Sequence, residues 1–152
     1  MKSSLAEETG ESICTITGEK VEDGTVSSAP IQVTSVTEKT RGSNQVRFDI
    51  KVENKGVGNV YANDATCEEL EDDNTKLNKK DKIFLEVINP ADVVCGLRSG
   101  EDSGSGIIEL DNNEETVSCW MTAEDTYTDT LRVTISYMYT DAASKEITIF
   151  EK

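Results

Sequence analysis

The sequence predicts an all-β fold, two antiparallel sheets packed as a sandwich, and three observations carry that prediction. Val46, Phe48, Ile50 and Val52 alternate with Arg47, Asp49, Lys51 and Glu53. Side chains on a strand switch faces at every residue, so this run is a strand with one dry and one wet face. Leu131, Val133, Ile135, Tyr137 and Tyr139 repeat the pattern against Arg132, Thr134, Ser136 and Met138. Elsewhere, short β-prone runs are separated by Gly-, Asn- and Asp-rich turns, and no stretch shows a convincing helical apolar period. About eight to ten short strands of this kind suit a two-sheet antiparallel sandwich, with a closed barrel as the alternative.

Taken in order, residues 1–11 are polar and acidic and read as an arm. Ser12–Thr17 is short and β-prone, and Gly18–Ala29 is loop-like, with Asp23-Gly24 as a turn. Pro30 opens a strand through Ile31, Val33 and Val36, whose alternation slips near Ser35 as a bulge would make it. The clearest strand, Val46–Val52, stops at Asn54-Lys55-Gly56-Val57-Gly58-Asn59, where Asn and two Gly suit a tight reversal through positive φ. A further strand runs from about Val57 to Cys67. Glu68–Lys82 is mostly charged, acidic first and basic after, and reads as an exposed loop rather than a short helix. Ile83, Leu85 and Val87 alternate with Phe84, Glu86 and Ile88 until Asn89-Pro90 interrupts, and Val93-Val94-Cys95 makes another short strand. Arg98–Gly106 is a Gly- and Ser-rich loop. Ile107–Leu110 and Thr116–Met121 form a hairpin about Asp111-Asn112-Asn113-Glu114, and Ile147 and Ile149 follow the last long strand.

The domain expectation is an N-terminal arm with one short strand over 1–29 and a sandwich over 30–152. The inward set is Ile31, Val33, Val46, Phe48, Ile50, Val52, Ile83, Leu85, Val87, Leu110, Val117, Leu131, Val133, Ile135 and Ile147. At 152 residues, roughly 70% of the unfolded chain's surface can be buried, so a core forms without covalent help. No apolar run reaches the ~18 residues of a membrane-spanning helix. Met1–Glu8 lacks the apolar segment of a secretion signal, which suits a cytosolic protein or a mature or trimmed ectodomain.

Thirty acidic residues face fifteen basic ones, a net charge of −15, and there is no histidine. Such a surface repels phosphate backbones and anionic membranes, so neither nucleic acid nor direct membrane insertion is expected. Without histidine, Ser-His-Asp and Cys-His nucleophilic arrangements cannot be built. Neither a nucleophile elbow nor a phosphate-binding fingerprint is present. The chain is therefore expected not to be an enzyme and to need no cofactor. Oxygen ligands for calcium are offered by Glu68, Glu71, Asp72, Asp73 and Asn74, and by Asp111, Asn112, Asn113 and Glu114. Neither segment matches the calcium-loop spacing, so no metal site is expected.

Cys14, Cys67, Cys95 and Cys119 are dispersed, with no C-x-x-C pair. That spacing suits two disulfides in an oxidising compartment better than structural zinc, with four buried thiols as the alternative. Counting strand reversals places Cys95 and Cys119 at similar heights and leaves Cys67, at a strand end, for Cys14. The expected pairs are Cys95–Cys119 and Cys14–Cys67, with Cys14–Cys119 and Cys67–Cys95 left open. Trp120 is the one candidate contact residue: Val117, Cys119 and Met121 form the apolar face of its strand, so Trp120 faces outward. Its competing role is to be covered by an N-terminal segment around Ile13 and Ile16. Tyr137 and Tyr139 read as core or rim residues.

From Pro30 onward the chain resembles an immunoglobulin-like, cell-adhesion-related module of prokaryotic, archaeal-type surface proteins. Val46–Gly56 is similar to that family's second strand and "N-x-G" turn. Ile108-Glu109-Leu110 through Val117-Ser118-Cys119 is similar to its hairpin, and Val133–Tyr137 with Ile147-Thr148-Ile149 to its closing pair. The charged Glu68–Lys82 insertion and the Cys14 segment depart from the pattern. The resemblance implies an immunoglobulin-like β-sandwich and an extracellular, non-catalytic adhesion or spacer module, with protein partners or a cell-surface assembly. The alternatives are the globular domain of a pilin-like filament subunit and a carbohydrate- or calcium-binding module.

Overall fold

A computed structural model of the chain describes residues 17–19, 28–42, 44–97, 103–123, 130–142, 144 and 146. Among these residues, nine strands and two short helices follow in the order β1 (Thr17–Glu19), β2 (Ile31–Arg41), β3 (Gln45–Asn54), β4 (Asn59–Ala62), α1 (Cys67–Glu71), α2 (Asp73–Lys79), β5 (Lys82–Asn89), β6 (Val94–Cys95), β7 (Ser105–Glu109), β8 (Glu114–Thr122) and β9 (Arg132–Thr140). They build a five-stranded sheet, β1-β2-β3-β8-β6, and a four-stranded sheet, β4-β9-β5-β7. Every pairing is antiparallel. The all-β, two-sheet architecture is the expected one.

One core joins the sheets. Phe48, Ile50, Val52, Val117 and Cys119 from the first meet Val60, Ile83, Leu85, Val87 and Ile108 from the second. Ile31, Phe48, Ile50, Val52, Ile83, Leu85, Val87, Leu110 and Val117 of the expected inward set are buried, while Val33, Val46, Leu131, Val133 and Ile135 pack against that core half-buried. Ile147 lies outside the described residues. The slip near Ser35 is a register shift between Val33 and Ser35 in the β2–β3 ladder.

Several local expectations are corrected. The strand after Gly58 ends at Ala62, not Cys67, because Thr66 starts a helix. Its hydroxyl accepts from the Glu69 amide while the Glu69 carboxylate accepts from the Thr66 amide, a capping box. Asp72 then caps α2 by accepting from the amides of Asn74 and Thr75 at 3.0 and 2.9 Å. Most of Glu68–Lys82 is thus helical rather than loop, and its order of charges, acidic first and basic last, suits the helix dipole.

Gly56 and Gly58 do not adopt positive φ; among described glycines only Gly42, in the β2–β3 connection, does so, at 71°. Nor does the Asn54–Asn59 turn close a hairpin, since β3 and β4 lie in different sheets. The Asp111–Glu114 turn is tight, with Asn112 and Asn113 both at positive φ and amide–carbonyl bonds both ways between Asp111 and Glu114. Yet its flanking strands part immediately, β7 to β5 and β8 to β3. The expected hairpin is therefore a crossing between sheets.

Candidate functional site

Strand alternation sends Arg47, Asp49, Lys51 and Glu53 of β3, and Thr116, Ser118 and Trp120 of β8, to the outer face of the five-stranded sheet. Register then decides which of them meet. Lys39 stands opposite Arg47, Arg47 opposite Trp120, and Trp120 opposite Val94, so these four form one row across β2, β3, β8 and β6. Trp120 faces outward as expected and is part-exposed. Thr17–Glu19 pairs with β2, with β3 between β2 and β8, so this segment does not lie over the indole. Ile13 and Ile16 lie outside the described residues.

Beside the row, Asp49 acts as a hub. Its carboxylate accepts from Arg47 Nε at 2.8 Å, from Ser118 Oγ at 2.8 Å and from Lys39 Nζ at 3.2 Å. Arg47 also donates to Ser118 Oγ at 2.8 Å. Burial pushes the Asp49 carboxyl up, but the bonds from Ser118, Arg47 and Lys39 outweigh it and leave it below the ordinary aspartate range. The guanidinium is consequently fixed, although its side chain remains 44% exposed. Sequence reading missed this cluster. The outward set was visible on β3 alone, but its partners depended on the register of two neighbouring strands.

Further along the face, Glu53 and Glu114 are directly opposite each other. Lys51 bridges them, at 2.7 Å from Glu53 and 2.8 Å from Glu114, and Lys55 also pairs with Glu53. Like charges opposed across strands repel, so the intervening ammonium offsets a local cost. Lys51 and then Lys55 hold the Glu53 carboxyl down to about 2.

Cys95 and Cys119 are bonded and buried in the core. They are register partners on β6 and β8, with Cα atoms 3.9 Å apart. Cys95 turns its amide away, to Ser103 O, while Gly96 bonds Ser118 O. This is the close, non-hydrogen-bonded type of antiparallel pair, where side chains approach most nearly. Cys67 is a free, exposed thiol rather than half of a disulfide, and it begins α1 instead of ending a strand. Its expected partner, Cys14, lies outside the described residues.

The carboxylates considered for calcium are dispersed: that of Asp72 caps a helix and that of Glu114 pairs with Lys51, while the Asp111–Glu114 turn closes through backbone bonds alone. No group of three or more metal-ligating side chains converges among the described residues, and no described helix is long and apolar enough to cross a membrane. Comparison with known proteins gives no match: no family model, no curated protein and no solved structure is significantly similar to the chain.

Proposed function

We propose that this chain is a non-catalytic, extracellular immunoglobulin-like β-sandwich that serves as an adhesion or spacer module at a cell surface. The observation that carries the reading is the Cys95–Cys119 disulfide inside the core, since such bonds persist in oxidising compartments and are rare in reducing ones. Strand order supports the immunoglobulin-like part. In β2-β3-β8-β6, the late strand β8 sits between β3 and β6, as strand E sits between B and D in the first sheet of that fold. Crossings between sheets after β3 and after β7 add the connectivity such sandwiches use.

The test is to expose intact cells that make the protein to a protease, and to map its cysteines without reduction. The reading expects cleavage from outside and a Cys95–Cys119 peptide. Protection on intact cells, or four free thiols, would overturn it.

A further inference from the structure

The geometry points to the row Lys39–Arg47–Trp120 on the outer face of the five-stranded sheet as a binding strip for an acidic saccharide. Trp120 offers a platform to a sugar ring, and Arg47 and Lys39 meet the carboxylate of a uronic acid. The inference rests on reading the chain as a surface interaction module and supplies that module with a ligand class.

Three features make the row more than scattered surface residues. Arg47 is held in place by Asp49 and Ser118, and a guanidinium has five N–H donors, so the rest have no partner among the described residues. A fork already oriented loses little freedom on meeting a carboxylate. Gly96 lies beside the indole, where a side chain would begin 3.7 Å from the ring; glycine itself adds nothing over that edge. Strands lie about 4.8 Å apart, so from Lys39 to Trp120 the row spans roughly 10 Å, the reach of a disaccharide.

The setting favours a sugar over a peptide. β3 and β8 are interior strands, their backbone groups spent on neighbours, so an extended peptide finds no ladder to join. One indole is also a small apolar area for a protein interface, whose centre is usually a cluster of anchors. It suffices to stack one ring. The net charge of −15 opposes anions at a distance, yet at physiological salt charges beyond about 8 Å are largely screened. Among the described residues, two cations, Lys39 and Arg47, and the one carboxylate of Asp49 that pairs with both then dominate the strip.

Trp120 is the sole tryptophan, so its fluorescence reports on this row alone. The full chain is titrated with a galacturonic acid tetramer, an uncharged galactose tetramer and a hexaglutamate peptide. Saturable change is expected with the uronate alone, and affinity about tenfold lower in Arg47→Ala, as loss of one charge-assisted contact implies. Lys39→Ala, exposed and remote from the core, is expected to weaken binding less and serves as a second variant if Arg47→Ala disturbs folding. No saturable change with the uronate at millimolar concentrations would overturn the proposal. An equal response to the neutral sugar would remove the charge requirement, and an equal response to the peptide would remove the saccharide; either overturns it. None of these outcomes bears on cell-surface exposure, which the protease experiment reads separately.

Discussion

The backbone amide of Gly58 donates a 2.6 Å hydrogen bond to the phenolic oxygen of Tyr139, 81 residues later. That bond ties the crossing between β3 and β4 to the last described strand. Asn54 completes the tie, accepting from the Gly56 amide at 3.0 Å and donating to Gly58 O at 3.2 Å. Tyr137 meets Tyr139 edge-on, with ring centroids 6.4 Å apart. Both glycines are required by this packing rather than by their dihedrals.

The tie separates two glycine substitutions. A Cβ on Gly56 runs into the Tyr139 hydroxyl, whereas a Cβ on Gly58 runs into the Thr140 carbonyl as well as the Tyr139 ring. Gly58→Ala should therefore cost about 3 kcal/mol, the upper end for overpacking, in any background. Gly56→Ala should be eased by Tyr139→Phe, which alone costs about 1–2 kcal/mol by leaving the Gly58 amide unpaired. Urea unfolding of the single and double variants measures the coupling. Equal costs for Gly56→Ala with Tyr and with Phe at 139 would refute the tie.

Phe48 is 4% exposed and faces Cys119 in register. Phe48→Ala should cost about 3–5 kcal/mol, because the surrounding strands cannot collapse into the space. A loss below about 1 kcal/mol in urea unfolding would mean that the strand presents its other face to the core.

How much of this was legible follows from the range of each signal. Alternation is local, so the strand at Val46–Val52, the bulge near Ser35 and the outward direction of Trp120 could be read from neighbouring residues. Pairing between strands is not local. Nothing near Asp111–Glu114 says that β7 and β8 part after an ideal hairpin turn, and nothing near Arg47 says that Ser118 and Lys39 flank Asp49. The helices are a different failure. Thr66-x-x-Glu69 is a readable capping box, but the segment after it lacks the apolar stripe that marks a helix. Tyr61 shows the same limit: it points away from the inward face set by Val60 and Ala62, yet is 2% exposed. The alternation rule alone would have left it in water.

The α1–α2 insertion buries none of its own helical residues, and Leu77 is 69% exposed. Helices of five and seven residues are too short to persist on propensity alone. Their amides should exchange with solvent much faster than those of β3 and β8, which sit inside the sheet. Hydrogen exchange by mass spectrometry resolves this, and matching protection of 67–79 and 45–54 would contradict it.

The core disulfide joins residues separated by 24 in sequence. Closing a loop of that length restricts the unfolded chain by roughly 3 kcal/mol. Replacing Cys95 and Cys119 together by Ala should lower stability by about that amount, read from urea unfolding. A pair of variants with unchanged midpoint would show that the bond does not constrain the unfolded state. Peptide mapping of the oxidised protein should find Cys95–Cys119.

Acid should destabilise the protein through the charged rows of the outer sheet. Glu53 is held to about 2, chiefly by Lys51 and then Lys55, and Asp49 also lies below its ordinary value. A carboxyl whose pKa falls on folding stabilises the native state above its unfolded pKa, about 4, and loses that contribution as pH drops through its folded value. Lys51, raised by Glu114 and Glu53, behaves oppositely: its contribution is complete below the unfolded lysine pKa of about 10.4 and is lost as pH climbs past it. From neutral pH downward, the net charge of −15 first relaxes, which favours the compact state. The melting temperature should hold or rise to about pH 5, then fall between about pH 4.5 and 2 as these carboxylates take up protons. These groups lie at the surface, so solvent screening keeps the effect modest, and its position on the pH axis is the informative quantity. Glu53→Gln removes one of the titrating groups and should flatten the acid limb, while leaving the alkaline limb to the remaining Lys51–Glu114 pair. An acid limb unchanged by Glu53→Gln would show that the row contributes nothing to acid stability.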